Sequence, residues 1–383
     1  MVLDVPTADL VRYRRHFHAH PELSLLEFET ADFIEDELRQ CGFDGLRRCA
    51  KTGLLATLVG GLPGPVTLLR ADMDALPVAE LGDAPYVSKN AGVMHACGHD
   101  GHMAILLCAA RELAKHRDLV RGTIVFCFQP GEEGPAGAKM MIEDGALEGP
   151  HVDRAFALHL YSGLEVGTVG VRDGAFFASS DRFEIALQGR GGHGAMPHAS
   201  VDPIVAAAQL VTMLQTIPSR EIAPKDPVVV TVGKIESGTT FNVIPDSAFM
   251  CGTVRAFDDA VRSSMPERIE RIVEGLSDAM RTDYSFQYDF GYPPTVNDAS
   301  MNELVRTVAA EAVGAENVVY PHDVVMWAED MSYVLQEVPG AYFIVGIRGE
   351  EIGLYPQHSA RYDIDERALD VGFRMMTGIA LHL

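Results

Sequence analysis

The sequence predicts an α/β fold with a mostly parallel central sheet, interrupted by a smaller inserted α+β unit. Strand and helix patterns alternate along the first third of the 383-residue chain. The strand segments there are continuously apolar, which is typical of parallel sheets covered by helices on both faces. The middle of the chain instead has the order β-α-β-β-α-β, which is typical of a ferredoxin-like unit.

The first third combines helical spacing with short apolar runs. It predicts helices at Leu10–His18, Glu27–Cys41 and His102–His116, and strands at Val66–Arg70, Thr123–Phe128 and Ala155–His159. Cys41-Gly42 is expected to end the second helix, because glycine is favoured just after a helix C-terminus. Ligand sites in such folds lie at the carboxyl ends of the strands, so the polar residues that follow them are candidates for one site.

The inserted unit is predicted from four strands and two helices. The strands are Asp181–Gln188, Val228–Val232, Ser247–Arg255 and Tyr284–Phe290, and the helices are Asp202–Gln215 and Arg262–Met280. A helix at Met301–Val313 and a strand at Ala341–Val345 then resume the first pattern. We therefore expect a catalytic domain formed by residues 1–178 and 296–383, with residues 179–295 inserted as a second domain.

Composition and charge exclude several classes of function. Lys plus Arg number 31 against 54 Asp plus Glu, a formal charge of -23, which disfavours binding to nucleic acid or anionic membranes. The chain has neither an N-terminal signal pattern nor an apolar run of about 18 residues. The six cysteines show no C-x-x-C spacing, which indicates reduced thiols and a cytoplasmic location.

The densest chemical motif is His95-Ala-Cys-Gly-His-Asp-Gly-His102. It could be a polar loop before a helix, but thiolate and imidazole together favour a divalent metal ion such as zinc, manganese, cobalt or nickel. Further ligands are available at or just after the strands, namely Asp72, Asp74, Glu132-Glu133 and His159, and in the polar stretch after Tyr355-Pro356, namely His358. Adjacent Glu132 and Glu133 are expected to face different ways, one as a ligand and one as a general base. Asp72 and Asp74 are either ligands or acceptors that orient a ligand.

In the inserted unit, Gly189-Arg-Gly-Gly-His-Gly194 formally matches G-x-G-x-x-G. A dinucleotide site is rejected because that motif needs a parallel βαβ context. The glycines are expected to let the backbone approach a substrate, with His193 at the tip.

Together these motifs resemble the M20 metallopeptidase/amidohydrolase family, within it the N-acyl-amino-acid hydrolases that include hippurate hydrolases and plant auxin-conjugate hydrolases. The resemblance runs through RADMDALP, HACGHD, QPGEEG, ALHL, GRGGHGAMPH, NVIP, AEDMSY and His358-Ser359. It implies a zinc-peptidase-like catalytic domain, a lid/dimerisation domain, a homodimer and two divalent metal ions per subunit. The implied reaction is hydrolysis of an N-acyl-L-amino acid to a carboxylic acid and an amino acid.

The resemblance also implies roles for individual residues. The metal ligands would be Cys97, His99, Glu133, His159 and His358, with Glu132 as general base and Asp74 behind the ligands. His193 would polarise the scissile carbonyl, often from the partner subunit, and Asn242 and Arg255 would bind substrate. Trp327 departs from the small residue expected there and could reshape the acyl pocket.

Two alternatives stay open at this point. One is a dipeptidase or carboxypeptidase of the same broad family. The other is a non-catalytic metal-dependent binding protein, which has no need of a general base such as Glu132.

Overall fold

The computed structural model describes residues 3–382, which form two compact units. Unit 1 comprises Met1–Gly174, Val296–Asp323 and Asp330–Leu383, and unit 2 comprises Ala175–Thr295 and Val324–Glu329. The helices are α1 Thr7–Ala19, α2 Phe28–Gln40, α3 His99–Lys115, α4 Gly137–Glu143, α5 Pro203–Leu214, α6 Asp259–Met280, α7 Ala299–Val313, α8 Met331–Glu337 and α9 Arg367–Leu381. The strands are β1 Arg47–Cys49, β2 Gly53–Val59, β3 Leu62–Asp72, β4 Arg121–Gln129, β5 Arg154–Glu165, β6 Val169–Gly170, β7 Gly174–Phe177, β8 Ser180–Gln188, β9 Gly192–His193, β10 Val228–Ser237, β11 Val243–Ile244, β12 Ser247–Ala256, β13 Asp283–Tyr292, β14 Thr295–Asn297, β15 Val318–Val319 and β16 Gly340–Arg348.

Unit 1 is built on a sheet in the order β1-β2-β4-β3-β5-β16-β6-β15. Strands β4, β3, β5 and β16 run parallel at its centre, so the predicted mostly parallel sheet is confirmed. Their apolar runs are buried: Leu69 lies between Phe126 and Phe156, and all three side chains are inaccessible to solvent. Helices α1, α3 and α9 pack against one another in the same core.

Several elements of unit 1 were not predicted, among them β2 and α9. Strand β2 is a short apolar run, whose periodicity alone does not separate a strand from a buried helix. Helix α9 begins after Glu366, and the Asp365 carboxylate accepts from Arg367 N over 3.0 Å, so an aspartate just before the helix is the sequence signal for its start. Strand β5 also continues beyond His159 to Glu165, so His159 lies inside the strand rather than at its end.

The predicted end of α2 is confirmed in detail. Gly42 N donates to Arg39 O over 3.0 Å, and Phe43 N donates to Leu38 O over 3.2 Å. These two bonds form a Schellman motif, which satisfies carbonyls left over at the helix terminus. Phe43 and Leu38 are both buried in the core of unit 1, so the motif also fixes how the chain leaves the helix.

Unit 2 has the predicted ferredoxin-like architecture. Its sheet has the order β10-β12-β8-β13 with all neighbours antiparallel, and α5 and α6 pack on one face. The core between them includes Phe183, Ile185, Leu210 and Ile269. Helix α5 starts where the sequence predicts, because the Asp202 carboxylate accepts from Ile204 N over 2.9 Å.

Candidate metal centre

The candidate site lies in unit 1, where the central parallel strands end and α3 begins. Asp72 closes β3, the Gly131–Glu133 turn follows β4, and His159 projects from β5. Cys97 and His99 flank Gly98, which has a φ of +99°. A Cβ atom on Gly98 would approach the Tyr362 hydroxyl oxygen to 2.7 Å, so only glycine fits between the two candidate ligands.

The first group of ligand atoms belongs to Cys97, His99 and His159. These atoms lie within 4.8 Å of one another, and Cys97 Sγ is 3.4 Å from His159 Nε2. His99 Nδ1 donates to Asp74 O over 2.8 Å, and His159 Nδ1 donates to Leu160 O over 2.8 Å. With Nδ1 engaged by a backbone carbonyl, each ring presents Nε2 to the site, as metal-binding histidines commonly do.

The second group belongs to Cys97, Glu133 and His358, again within 4.8 Å of one another. His358 Nε2 is 3.2 Å from Glu133 Oε1. His358 has a φ of +66°, and its backbone N donates to Ala96 O over 2.7 Å. Cys97 therefore belongs to both groups, and the structure brings all five predicted ligands to one place.

The chemistry of this cluster fits two divalent cations. His99 Nε2 is buried and makes no hydrogen bond, which is costly for a polar atom unless a cation satisfies it. Thiolate, imidazole and carboxylate together are a ligand set of zinc and its neighbours among the transition metals.

Protons compete with a cation for these ligands. Burial, reinforced by Glu133, raises the pKa of the Cys97 thiol well above its ordinary value. Burial disfavours the charged form of His99, but Asp72 and Asp74 outweigh it and raise the His99 pKa to about 10. Since metal ligands bind deprotonated, cation binding releases protons and weakens as the pH falls.

Asp74 holds the turn that carries the adjacent glutamates. Its carboxylate accepts from Glu132 N and Glu133 N, each over 3.0 Å, and from Ser24 Oγ over 2.6 Å. One ligand atom each of Glu132, Glu133 and His99 lie within 4.8 Å of one another, so both adjacent carboxylates reach the same site. The expected place of Asp74 behind the ligands agrees with these contacts.

Asp72 is occupied by protein partners. One oxygen accepts from His102 Nδ1 over 2.6 Å, and the other accepts from Arg70 over 2.6 Å and lies 3.7 Å from His99 Nε2. His102 Nε2 in turn accepts from Leu160 N over 3.0 Å. These contacts hold the Asp72 carboxylate, and one of its oxygens also lies within 4.8 Å of ligand atoms of His99 and His102. His102 was not predicted as a site residue, although its spacing of three residues from His99 places both on one helix face.

His193, Asn242 and Arg255 belong to unit 2. His193 pairs with Val243 between β9 and β11, and Gly194 N donates to Asn242 O over 2.9 Å, so His193 and Asn242 share one end of the unit. Arg255 follows the β12 segment that pairs with Asp181, at the opposite end of the sheet from the Ser247–Gln188 pair. Unit 2 therefore brings His193 and Asn242 together, and Arg255 lies apart from them.

Trp327 also groups with unit 2. Its ring centroid is 5.6 Å from that of Phe177, and its carbonyl accepts from Ala178 N over 3.1 Å.

The fold and the two ligand groups define a hydrolase with a pair of divalent metal ions. Residues 68–382 match the model of peptidase family M20/M25/M40, and the chain belongs to this family. It is 46% identical over 297 residues to an N-acyl-L-amino acid amidohydrolase of Geobacillus stearothermophilus, covering 77% of this chain and 80% of the relative. It is 39% identical to thermostable carboxypeptidase 2 of Saccharolobus solfataricus, covering 95% and 92% of the two chains.

A solved structure has the same fold. A dinuclear metal-binding peptidase of the M20 family from Bacillus subtilis superposes with a TM-score of 0.85 at 34% identity, covering 98% of this chain and 97% of that one. The predicted family, fold class and metal-dependent amidohydrolase activity are thereby confirmed. Across residues 3–382, no helix is long and apolar enough to cross a membrane.

Proposed function

We propose that this protein hydrolyses the amide bond of N-acyl-L-amino acids, with Glu132 as the general base. The position of the Glu132 carboxylate supports this proposal. The Glu132 carboxylate is buried beside the ligands, 4.0 Å from His99 Nε2, on a turn that Asp74 fixes through two backbone amides. A carboxylate held there can accept a proton from the attacking water and deliver it to the leaving nitrogen.

The other residues would act by binding and orienting. Cys97, His99, His159, Glu133 and His358 would hold two divalent ions, which when bound polarise the amide carbonyl and lower the pKa of water. His193 would donate a hydrogen bond to the carbonyl oxygen, a contribution of about 3 kcal/mol for one such donor. Asn242 and Arg255 would bind the substrate. Zinc, manganese, cobalt and nickel are the candidate ions, to be compared by reconstitution.

Glu132→Gln tests the assignment of the base. The variant keeps the shape of the side chain but removes its basicity, so turnover of N-benzoylglycine should vanish while two metal ions stay bound. Glu148→Gln, on an exposed side chain, is the matched control and should keep full activity. Near-normal turnover by Glu132→Gln would overturn the assignment. Chelator-insensitive or undetectable hydrolysis by the wild type would favour the non-catalytic binding protein.

A dipeptidase or carboxypeptidase activity is the second candidate, and the carboxypeptidase relative favours it. Parallel assays on N-benzoylglycine, N-acetyl amino acids and free dipeptides separate the two. Faster hydrolysis of the blocked substrates supports the hippurate-hydrolase type of activity. A change of acyl preference in Trp327→Gly would assign Trp327 to the acyl pocket.

We also propose a cytoplasmic homodimer formed through unit 2. All six cysteines are free thiols, which agrees with a reducing compartment. Helix α5 leaves Ile204 and Val205 about half exposed, at 45% and 46%, and Met213 36% exposed, an apolar face that a second copy would cover.

The distance between the two ends of the unit 2 sheet supports the proposal that the partner subunit contributes residues to each site. Between Ser247 and Arg255 strand β12 spans about 27 Å at ~3.4 Å per residue, too far for one small substrate to contact both ends. His193 and Asn242 would therefore act on a substrate bound by the other subunit. Mixing Glu132→Gln with His193→Ala subunits should restore about a quarter of wild-type activity, because half of the dimers then carry one intact site. Absence of restored activity would place His193 in its own subunit's site.

A further inference from the structure

Two buried carboxylates hold the turn that carries the proposed base and its neighbouring ligand. Asp74 accepts from Glu132 N and Glu133 N, each over 3.0 Å. Glu27 accepts from the preceding amide, Gly131 N, over 2.9 Å through Oε1. Three consecutive backbone amides of the turn are thus bound by two side chains that come from distant parts of the chain.

Glu27 does not serve its own helix. It occupies the N-cap position of α2, where a carboxylate usually accepts from the first free amides of the helix, yet it makes no such bond. Glu22 accepts instead from Thr30 N over 2.8 Å and from Glu29 N over 3.3 Å. The second oxygen of Glu27 accepts from Thr52 Oγ1 over 2.6 Å, which fixes the plane of the carboxylate.

The segment around Glu27 has two features that cost folding free energy, a buried carboxylate and a strained backbone conformation. Both residues contact Gly131. Glu27 is completely buried, and burial raises its pKa by disfavouring the charged form. Leu25 has a φ of +60°, a left-handed conformation that is strained for leucine. A Cβ atom on Gly131 would lie 3.2 Å from Leu25 Cδ2, so the Leu25 side chain packs over the same turn. A strained residue and a buried carboxylate thus both contact Gly131, which points to a requirement for the shape of this turn.

We propose that Glu27 is a positioning residue for hydrolysis: it anchors Gly131 and so fixes the Glu132-Glu133 turn. The inference rests on the proposed function, because it acts through Glu132. Asp74 holds the two glutamate amides, and Glu27 holds the residue at which the chain enters the turn from β4. Without Glu27 the turn can pivot about the Asp74 contacts, which displaces the Glu132 carboxylate. A displacement of about 1 Å in catalytic geometry can reduce turnover on the order of 100-fold.

Kinetics of Glu27→Ala and Glu27→Gln test this role, with Glu22→Ala as the matched control. Glu22→Ala removes the hydrogen bonds that cap α2 from the same segment but leaves the Glu27–Gly131 contact in place. We expect Glu27→Ala to lower kcat for an N-acyl amino acid on the order of 100-fold, with KM changed less than about threefold and two metal ions retained. Glu27→Gln keeps an oxygen acceptor for Gly131 and should recover kcat to within about tenfold of the wild type. Glu22→Ala should lower the melting temperature and keep kcat.

Hydrogen exchange gives a readout that needs neither substrate nor metal. In Glu27→Ala the Gly131 amide should exchange at least about tenfold faster than in the wild type, and in Glu27→Gln and Glu22→Ala it should stay protected. If the alanine variant does not fold, Thr52→Val replaces it, with an expected decrease in kcat of about tenfold.

The role of Glu27 is overturned by wild-type kcat in Glu27→Ala, by an equal loss in Glu22→Ala, or by failure of glutamine to rescue. Unchanged exchange at Gly131 also overturns it. A wild-type protein that hydrolyses no N-acyl amino acid would refute the proposed function. Hydrogen exchange at Gly131 would still decide whether Glu27 anchors the turn.

Discussion

Cys97 is the ligand whose loss should have the largest effect on metal content. Its sulfur belongs to both ligand groups, whereas His159 and His358 each belong to one. Cys97→Ser should therefore lower the affinity for both metal ions, while His159→Ala and His358→Ala should each lower the affinity for mainly one ion. Serine preserves the shape of the side chain but is a poor substitute for the soft thiolate.

The expected loss of metal affinity in Cys97→Ser can be estimated from the effect of smaller changes at metal sites. Altering a group that only orients a ligand costs about 10–100-fold in metal affinity. Loss of a direct, shared ligand should lower the affinity for each ion more than about 100-fold, or about 2.8 kcal/mol at 1.4 kcal/mol per tenfold change.

Metal affinity is best measured by competition with a chromogenic chelator, and stoichiometry by mass spectrometry of the metals after dialysis. The melting temperature in EDTA is the control for folding, and it should stay within a few degrees of the wild type. Two tightly bound ions in Cys97→Ser, at wild-type affinity, would refute the shared-ligand reasoning.

Two further predictions concern buried charge networks. His18 Nδ1 donates to Asp100 over 2.7 Å, and this bond and one to Glu80 outweigh burial and Arg14 and raise the His18 pKa. The stabilisation by the His18 charge is fully present below about pH 6.5 and is lost as the pH rises through the folded-state pKa. The difference in unfolding free energy between the wild type and His18→Gln, measured by denaturation in EDTA, should therefore shrink from pH 6 towards pH 9. A difference that does not depend on pH would contradict this. In unit 2, Asp181→Asn should lower the unfolding free energy by about 3–5 kcal/mol in urea titrations, because Arg262 binds the buried Asp181 carboxylate at 2.8 Å; a loss below ~1 kcal/mol would contradict it.

The fold was predictable because its signals are local. The apolar runs of β3, β4 and β5 and the Asp202 cap of α5 are read from a few neighbouring residues each. The five candidate metal ligands could also be named, because Glu133 and His159 lie in short motifs on or just after these strands and Cys97 lies in the histidine-rich motif just before α3.

The supporting residues were harder to predict because their partners are remote in sequence. Glu27 binds an amide 104 residues away, and nothing near Glu27 distinguishes it from an ordinary N-cap residue. Arg255 lies in a strand with the right composition, but only the register of β12 shows that it is far from His193 and Asn242.

The position of β16 determines when unit 1 can be completed during synthesis. This central strand pairs with β5 and with β6, yet it is made only after all of residues 175–295 of unit 2. Until it emerges from the ribosome, the apolar β5 presents an open edge, and such edges promote aggregation. His358 is translated later still, so the nascent chain lacks one of the five proposed ligands. Residues 175–295, which hold the ferredoxin-like sheet and its two helices, can thus fold on the ribosome before the catalytic half is complete.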